Sequence, residues 1–292
     1  KNEGKHIITT QIEHHAVLHA CEQLEKDGFD VTYLPVDKNG LVSINDLKNS
    51  LREDTILVSV MYANNEVGVV QPIEEIGELL KNHPAYFHTD AVQAYGSLSI
   101  NVQTAQIDLL SVSSHKINGP KGIGFLYQRK GVLLKPLLYG GQQERKKRAG
   151  TENVPAVVAF AKAVELKQLH LEGNIQRYIQ LKRAFLDQLK KSGVDFTVNG
   201  SKEHVLSHVL NISIPKTDVE TFLIQLDLAG IDASSGSACT AGSIDPSHVL
   251  VAMYGENSPE IRNSVRFSFG VNNTEQQVIE AAQKISEIIL KV

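Results

Sequence analysis

Cysteine is almost missing from this chain. Only Cys21 and Cys239 occur among 292 residues, too few for a disulfide framework, and that scarcity points to a reducing, cytoplasmic setting. Long apolar runs are missing too, since none approaches the roughly 20 residues that a membrane-spanning helix needs. The sequence has no basic excess; a formal net charge of -4 leaves no electrostatic footprint for a direct nucleic-acid ligand. The opening residues, Lys1 to Lys5, are polar and lead into Ile-Ile-Thr-Thr rather than the apolar core of a signal peptide. Asp245, His248 and the other scattered histidines show no metal-ligand spacing, so no metal is expected. Repeats and low-complexity segments are also absent.

What is present is an alternation of short apolar runs and helical periods. His6 to Thr10, Val31 to Val36, Thr55 to Tyr62, Ala85 to His88 and Ile107 to Val112 read as strands. Between them, Glu13 to Lys26 places Val17, Ala20, Cys21 and Leu24 on one helical face, and Gly28 stops that helix. Ser43 reads as an N-cap, and Pro72 opens a helix that runs to Lys81. This pattern predicts an α/β fold with a mostly parallel sheet covered by helices on both faces. It changes after Gly140-Gly141. A charged cluster, Glu144 to Arg148, reads as a solvated loop, and Pro155 opens a long helical stretch reaching Leu189. Strands at Val209 to Ile214 and Val265 to Phe269, with helices at Val219 to Leu228 and Thr274 to Lys291, predict a smaller α+β domain. The expected division is 1–155 for the large domain and 156–292 for the linking helix and small domain.

In open α/β sheets, ligands bind beyond the carboxyl ends of the strands. Three consecutive predicted strands end in polar groups: Asn64-Asn65-Glu66, then Asp90, then Ser113-Ser114-His115-Lys116. A Gly-Pro-Lys-Gly-Ile-Gly turn, Gly119 to Gly124, follows the last and permits close backbone approach to a ligand. A lone lysine such as Lys116 reads as a solvated loop residue; with Asp90 and Gln93 nearby it suits a Schiff base to pyridoxal 5′-phosphate. A buried Asp90 keeps the pyridine nitrogen protonated, and the Gln93 amide can bond the phenolic oxygen. His14, just after the first strand, reads either as a polar helix start or as a ring-stacking imidazole. Cys239 lies among small residues, Ser234 to Gly242, where an accessible thiolate is a strong nucleophile. Arg266 reads either as part of an exposed strand face or as the bidentate partner of a substrate carboxylate.

Together these residues resemble the cysteine desulfurases, pyridoxal-phosphate enzymes of the aminotransferase superfamily, in their NifS/IscS-like group. The likeness is carried by Thr9 to Leu18, Asn64 to Gly68, His88 to Gln93, Ser113 to Gly124, Gly150-Thr151, Ser234 to Thr240 and Ser264 to Ser268. The resemblance implies the fold-type-I architecture of those enzymes, with 1–155 as the cofactor-binding domain and the Cys239 loop on the smaller one. It implies that Lys116 carries the cofactor, Asp90 pairs with the pyridine nitrogen, Gln93 bonds the phenolic oxygen and His14 stacks on the ring. Ser113 and His115 match phosphate ligands, and Thr151 matches one donated across a homodimer interface. Asn65 and Arg266 match the residues that hold the substrate carboxylate, and Cys239 matches the nucleophile that takes sulfur from L-cysteine as a persulfide, leaving L-alanine. The implied partners are a second copy of the chain and a sulfur-acceptor protein, either an iron–sulfur scaffold or a tRNA-thiolation enzyme. Other expectations on the same scaffold are a selenocysteine lyase or another β-lyase. A further one, of a different class, is a non-catalytic fragment acting as an interaction module. The family also has several dozen residues ahead of the part that begins here, with a Gly-Thr-Glu-type phosphate loop. This sequence contains no such loop, and Lys1 is not a methionine, so a truncated parent is expected.

Overall fold

The computed structural model describes residues 4–236 and 246–290. Its larger sheet has six strands: β1 (His6–Thr10), β2 (Asp30–Leu34), β3 (Thr55–Ser59), β4 (Tyr86–Asp90), β5 (Leu109–Ser113) and β6 (Gly124–Gln128), in the order β2-β1-β3-β4-β5-β6. All neighbours run parallel except β5 and β6, which are antiparallel. Every residue of β1 is buried, as expected for a strand covered on both faces, whereas β6 forms a partly exposed edge.

Local chemistry starts the connecting helices. The His14 ring accepts the Ala16 N–H at the head of α1 (His15–Lys26), and the Ser43 hydroxyl accepts the Asp46 N–H at the head of α2 (Ile44–Ser50). In α3 (Ile73–Leu80), Ile73, Ile76 and Leu80 make the buried stripe. The chain passes from β1 to β2 on one side and then to β3 on the other side of β1. That reversal opens a crevice at the carboxyl ends of β1 and β3.

Beyond β6 comes the exposed one-turn α4 (Gln143–Lys146), inside the charged cluster. The long helical stretch read from the sequence is two helices, α5 (Val154–Leu169) and α6 (Leu171–Lys191), with the break at His170, where φ is -108°. The expected division at 155/156 therefore falls in the first turn of α5. The second sheet is antiparallel, β7 (Thr197–Val198), β8 (Val209–Ser213) and β9 (Ser264–Ser268), in that order. The same part of the chain contains α7 (Val219–Leu228), α8 (His248–Tyr254), α9 (Glu260–Asn263) and α10 (Glu275–Leu290).

Each sheet has its own apolar core. Ile8, Val58, Phe87 and Leu110 centre the first, and Phe185, Ile212, Leu226, Val265 and Ile285 centre the second. A third cluster, including Ile12, Met61, Val69, Leu250 and Met253, joins the strand ends of the large sheet to α8. The joint thus lies beside the crevice. No helix among the described residues is long and apolar enough to cross a membrane.

Candidate active site

Sheet order decides which polar residues meet. β1, β3, β4 and β5 are successive neighbours, so His14, Asn65, Asp90 and Lys116 follow four adjacent strand ends. At about 4.8 Å between strands, that row spans roughly 15 Å.

Asp90 is the last residue of β4 and is 9% exposed. Its Oδ1 accepts the Val92 N–H at 2.9 Å. Burial raises its affinity for a proton, while the Val92 hydrogen bond, His14 and Lys116 oppose that rise. No ion pair compensates this carboxyl among the described residues, so it is suited to a cation placed over it. Two residues back on the same strand, His88 bonds Ser59 Oγ at 2.8 Å and Ser111 Oγ at 2.9 Å. Burial depresses its pKa to about 4, so it is a neutral brace between β3 and β5. Gln93 lies half-buried in the turn after Asp90.

Lys116 sits in a single 3-10 turn, Ser114–Ile117, closed by Asn118 in the left-handed region at φ 68°. Lys116 is exposed, and its amine forms no ion pair among the described residues. Ser114 is fully buried, and a Cβ added to Gly119 would lie 2.1 Å from its Oγ. Only glycine lets the chain pass so close behind the lysine turn. Ser113 Oγ and His115 Nδ1 are 2.7 Å apart at the surface. Thr151 is exposed, and no hydrogen bond joins it to either of them among the described residues.

His14 is half-buried at the head of α1. Burial lowers its pKa, Asp90 pulls it upward and Lys116 pushes it down, so the ring lies within the electrostatic reach of both. Asn64 is buried, with Nδ2 donating to the Ile12 carbonyl and Oδ1 accepting the Glu66 and Val67 N–H groups. It shapes the loop, which leaves the next residue, Asn65, facing the second sheet. There Arg266 of β9 donates from its guanidinium to the Asn65 carbonyl at 3.0 Å. The fold therefore joins two candidate residues 201 positions apart.

Cys239 lies outside the described residues. The flanks of its segment are pinned beside the site. Ser234 and Arg266 exchange backbone hydrogen bonds of 3.1 and 2.7 Å, and the Ser247 hydroxyl donates to Glu66. Cys21 is buried on α1, and burial pushes its thiol up to about 11, as suits a packing residue rather than a nucleophile. Sequence reasoning missed Glu13, His88 and Asn64 as supports; the adjacency of Glu13 to His14 and of His88 to Asp90 were the available signals.

The residues present fit pyridoxal phosphate. A buried, uncompensated carboxyl suits the ring nitrogen, an accessible amine suits the carbonyl, and the half-buried Ser113 with the exposed His115 suits an anion.

Comparison with known proteins agrees with this arrangement. The class-V aminotransferase family matches residues 1–280. A Bacillus subtilis (strain 168) protein carrying the name of an IscS cysteine desulfurase is 60% identical over 100% of this chain and 77% of its own length. The cysteine desulfurase IscS of Methanosarcina thermophila is 49% identical over 100% of this chain and 72% of its own. A solved NifS-like protein superposes with a TM-score of 0.91 at 36% identity, covering 100% of this chain and 77% of that one. A structure of SspA in complex with cysteine gives 0.77 at 36% identity, covering 92% and 74%. The chain belongs to the class-V aminotransferase family and, within it, to the pyridoxal-phosphate-dependent cysteine desulfurases.

Proposed function

We propose that this protein converts L-cysteine to L-alanine and passes the sulfur to Cys239 as a persulfide. The observation that carries the reading is the pairing, on neighbouring strand ends β4 and β5, of a buried carboxyl at Asp90 with an accessible amine at Lys116. Pyridoxal phosphate, when bound, supplies a carbonyl for amines and an electron-withdrawing ring.

The side chains would divide the remaining work. Asp90 holds the proton of the ring nitrogen, Gln93 bonds the phenolic oxygen, and His14 covers one ring face. Ser113, His115 and Thr151 bind the phosphate. Arg266 and Asn65 bind the substrate carboxylate, and their contact supports a shared role. Lys116 Nζ holds the cofactor at rest and moves the proton at the substrate α-carbon. The Cys239 thiolate attacks the substrate sulfur; the carbon–sulfur bond breaks, its electron pair stays with the carbon, and protonation there yields alanine. The thiol plus cysteine thus balances to the persulfide plus alanine.

The persulfide would then pass to an acceptor protein, an iron–sulfur scaffold or a tRNA-thiolation enzyme, in the cytoplasm. Cysteine scarcity supports that compartment. A homodimer is part of the reading, with Thr151 serving the partner's phosphate. Its support is an apolar face over β6, α5 and the loop between them, where Leu133 is 87% and Leu137 94% exposed. Residues 1–155 would bind the cofactor and 156–292 would carry the nucleophile.

Cys239→Ala should keep the bound cofactor's visible absorbance yet release no alanine from cysteine. Full alanine production by that variant would overturn the assignment of the nucleophile.

A further inference from the structure

Glu13 stands immediately before His14, and it is fully buried. Its Oε1 accepts two hydrogen bonds, from Thr10 Oγ1 at 2.9 Å and from the Met61 N–H at 2.7 Å. Its Oε2 is equally buried and meets no hydrogen-bond partner among the described residues. No lysine or arginine pairs with it there either. A charged carboxylate so placed would leave an uncompensated buried charge, which costs several kcal/mol. Keeping the proton avoids that cost.

The titratable groups packed around it are a carboxyl, a thiol and imidazoles. Asp90 faces it from β4 and would repel a second negative charge. Cys21 on α1 holds its thiol proton up to about 11. His14 beside it and His248, whose Nε2 lies 2.9 Å from the Glu13 carbonyl, both have pKa values lowered by burial. Burial pushes the Glu13 carboxyl up to about 8, against its two hydrogen bonds and with the help of Asp90.

We propose that Glu13 is a positioning residue for the reaction: a neutral acid that ties the strand ends of the site together and adds no second negative charge beside Asp90, the carboxyl meant for the cofactor ring. Through Met61 it holds the segment leading to Asn65, and through its own backbone it sets His14 and receives α8. The second half of this proposal rests on the function proposed above; the first half, the neutral acid, does not.

Two measurements separate the halves. In the cofactor-free chain labelled with carboxyl-13C glutamate, NMR should show one glutamate titrating near pH 8, far above the usual 4.3 or so. That resonance should be missing from Glu13→Gln. It should persist in Glu66→Gln, which removes the other buried glutamate among the described residues and serves if Glu13→Gln fails to fold. Titration of every glutamate in the ordinary range would overturn the proposal. In the loaded chain, the change in visible absorbance that accompanies ionisation of Glu13 above about pH 8 should be missing from Glu13→Gln, whose neutral amide matches the protonated acid at lower pH. An unchanged profile beside a confirmed titration would overturn the link to Asp90 alone. A chain that takes up no cofactor would count against the proposed function and leave the glutamate titration to decide the rest.

Discussion

The two ends of the candidate site are built differently. Around Asp90, the groups are buried and braced from several sides. Val92 bonds the carboxyl, His88 spans Ser59 and Ser111, and Glu13 anchors the segment at Met61. Around Ser113 and His115, the groups are near the surface, bonded to each other, and Thr151 stands apart. Folding has already met the desolvation cost at the first end, so the groups there wait in place. At the second, a phosphate would meet donors nearer the solvent and order them as it binds. On the proposed function, recognition of the ring would be a property of the packed sheet, and recognition of the phosphate a property of its surface.

Variants can break or sharpen this contrast, and the largest effect should come where the ends meet. Lys116→Ala should abolish covalent attachment altogether, read by mass spectrometry after borohydride reduction; a trapped adduct at another residue would refute its role. Asp90→Asn removes the charge from the braced end while keeping its shape. It should lower kcat on the order of 100-fold, equivalent to about 2.7 kcal/mol, with the fold intact by circular dichroism. A loss under threefold would mean that the burial of Asp90 serves packing alone.

The braced end should also be acid-sensitive. His88 is neutral when folded, with its pKa depressed to about 4 from 6.5, so below pH 6.5 the unfolded chain binds a proton that the folded chain refuses. Stability should therefore fall as the pH drops from 6.5 toward 4, by on the order of 3 kcal/mol from this residue. Urea midpoints should fall less steeply between pH 6.5 and 4 in His88→Gln than in the wild type, and equal slopes would refute the assignment. The smallest effect belongs to the surface end. Ser113→Ala should weaken cofactor binding about fivefold, the worth of about one hydrogen bond, and leave acid stability unchanged.

Much of this could be read in advance. Lys116 and Asp90 stood out because apolar runs ended in polar groups, and strand ends in an open sheet are where ligands bind. The parallel sheet followed from the alternation of strand and helix periods. The antiparallel edge β6 and the break at His170 were not legible, since neither direction nor a one-residue kink alters the apolar period. Arg266 remained open between an exposed face and a functional one because alternation along β9 says nothing about what stands opposite. In the structure, what stands opposite is the Asn65 carbonyl, 201 positions away. Glu13 passed as part of a polar helix start, because burial of a carboxyl is set by Met61 and α8 rather than by its neighbours in sequence.

The Arg266–Asn65 contact has a consequence in time as well as in space. The strand ends of the large sheet arise from pairings between segments close in the chain, while this contact must wait for a loop of about two hundred residues to close. The ring end is therefore expected to assemble early and the substrate end last, when the second sheet docks. On gentle warming the order should reverse, and cysteine recognition should fade while the strand ends still hold their shape.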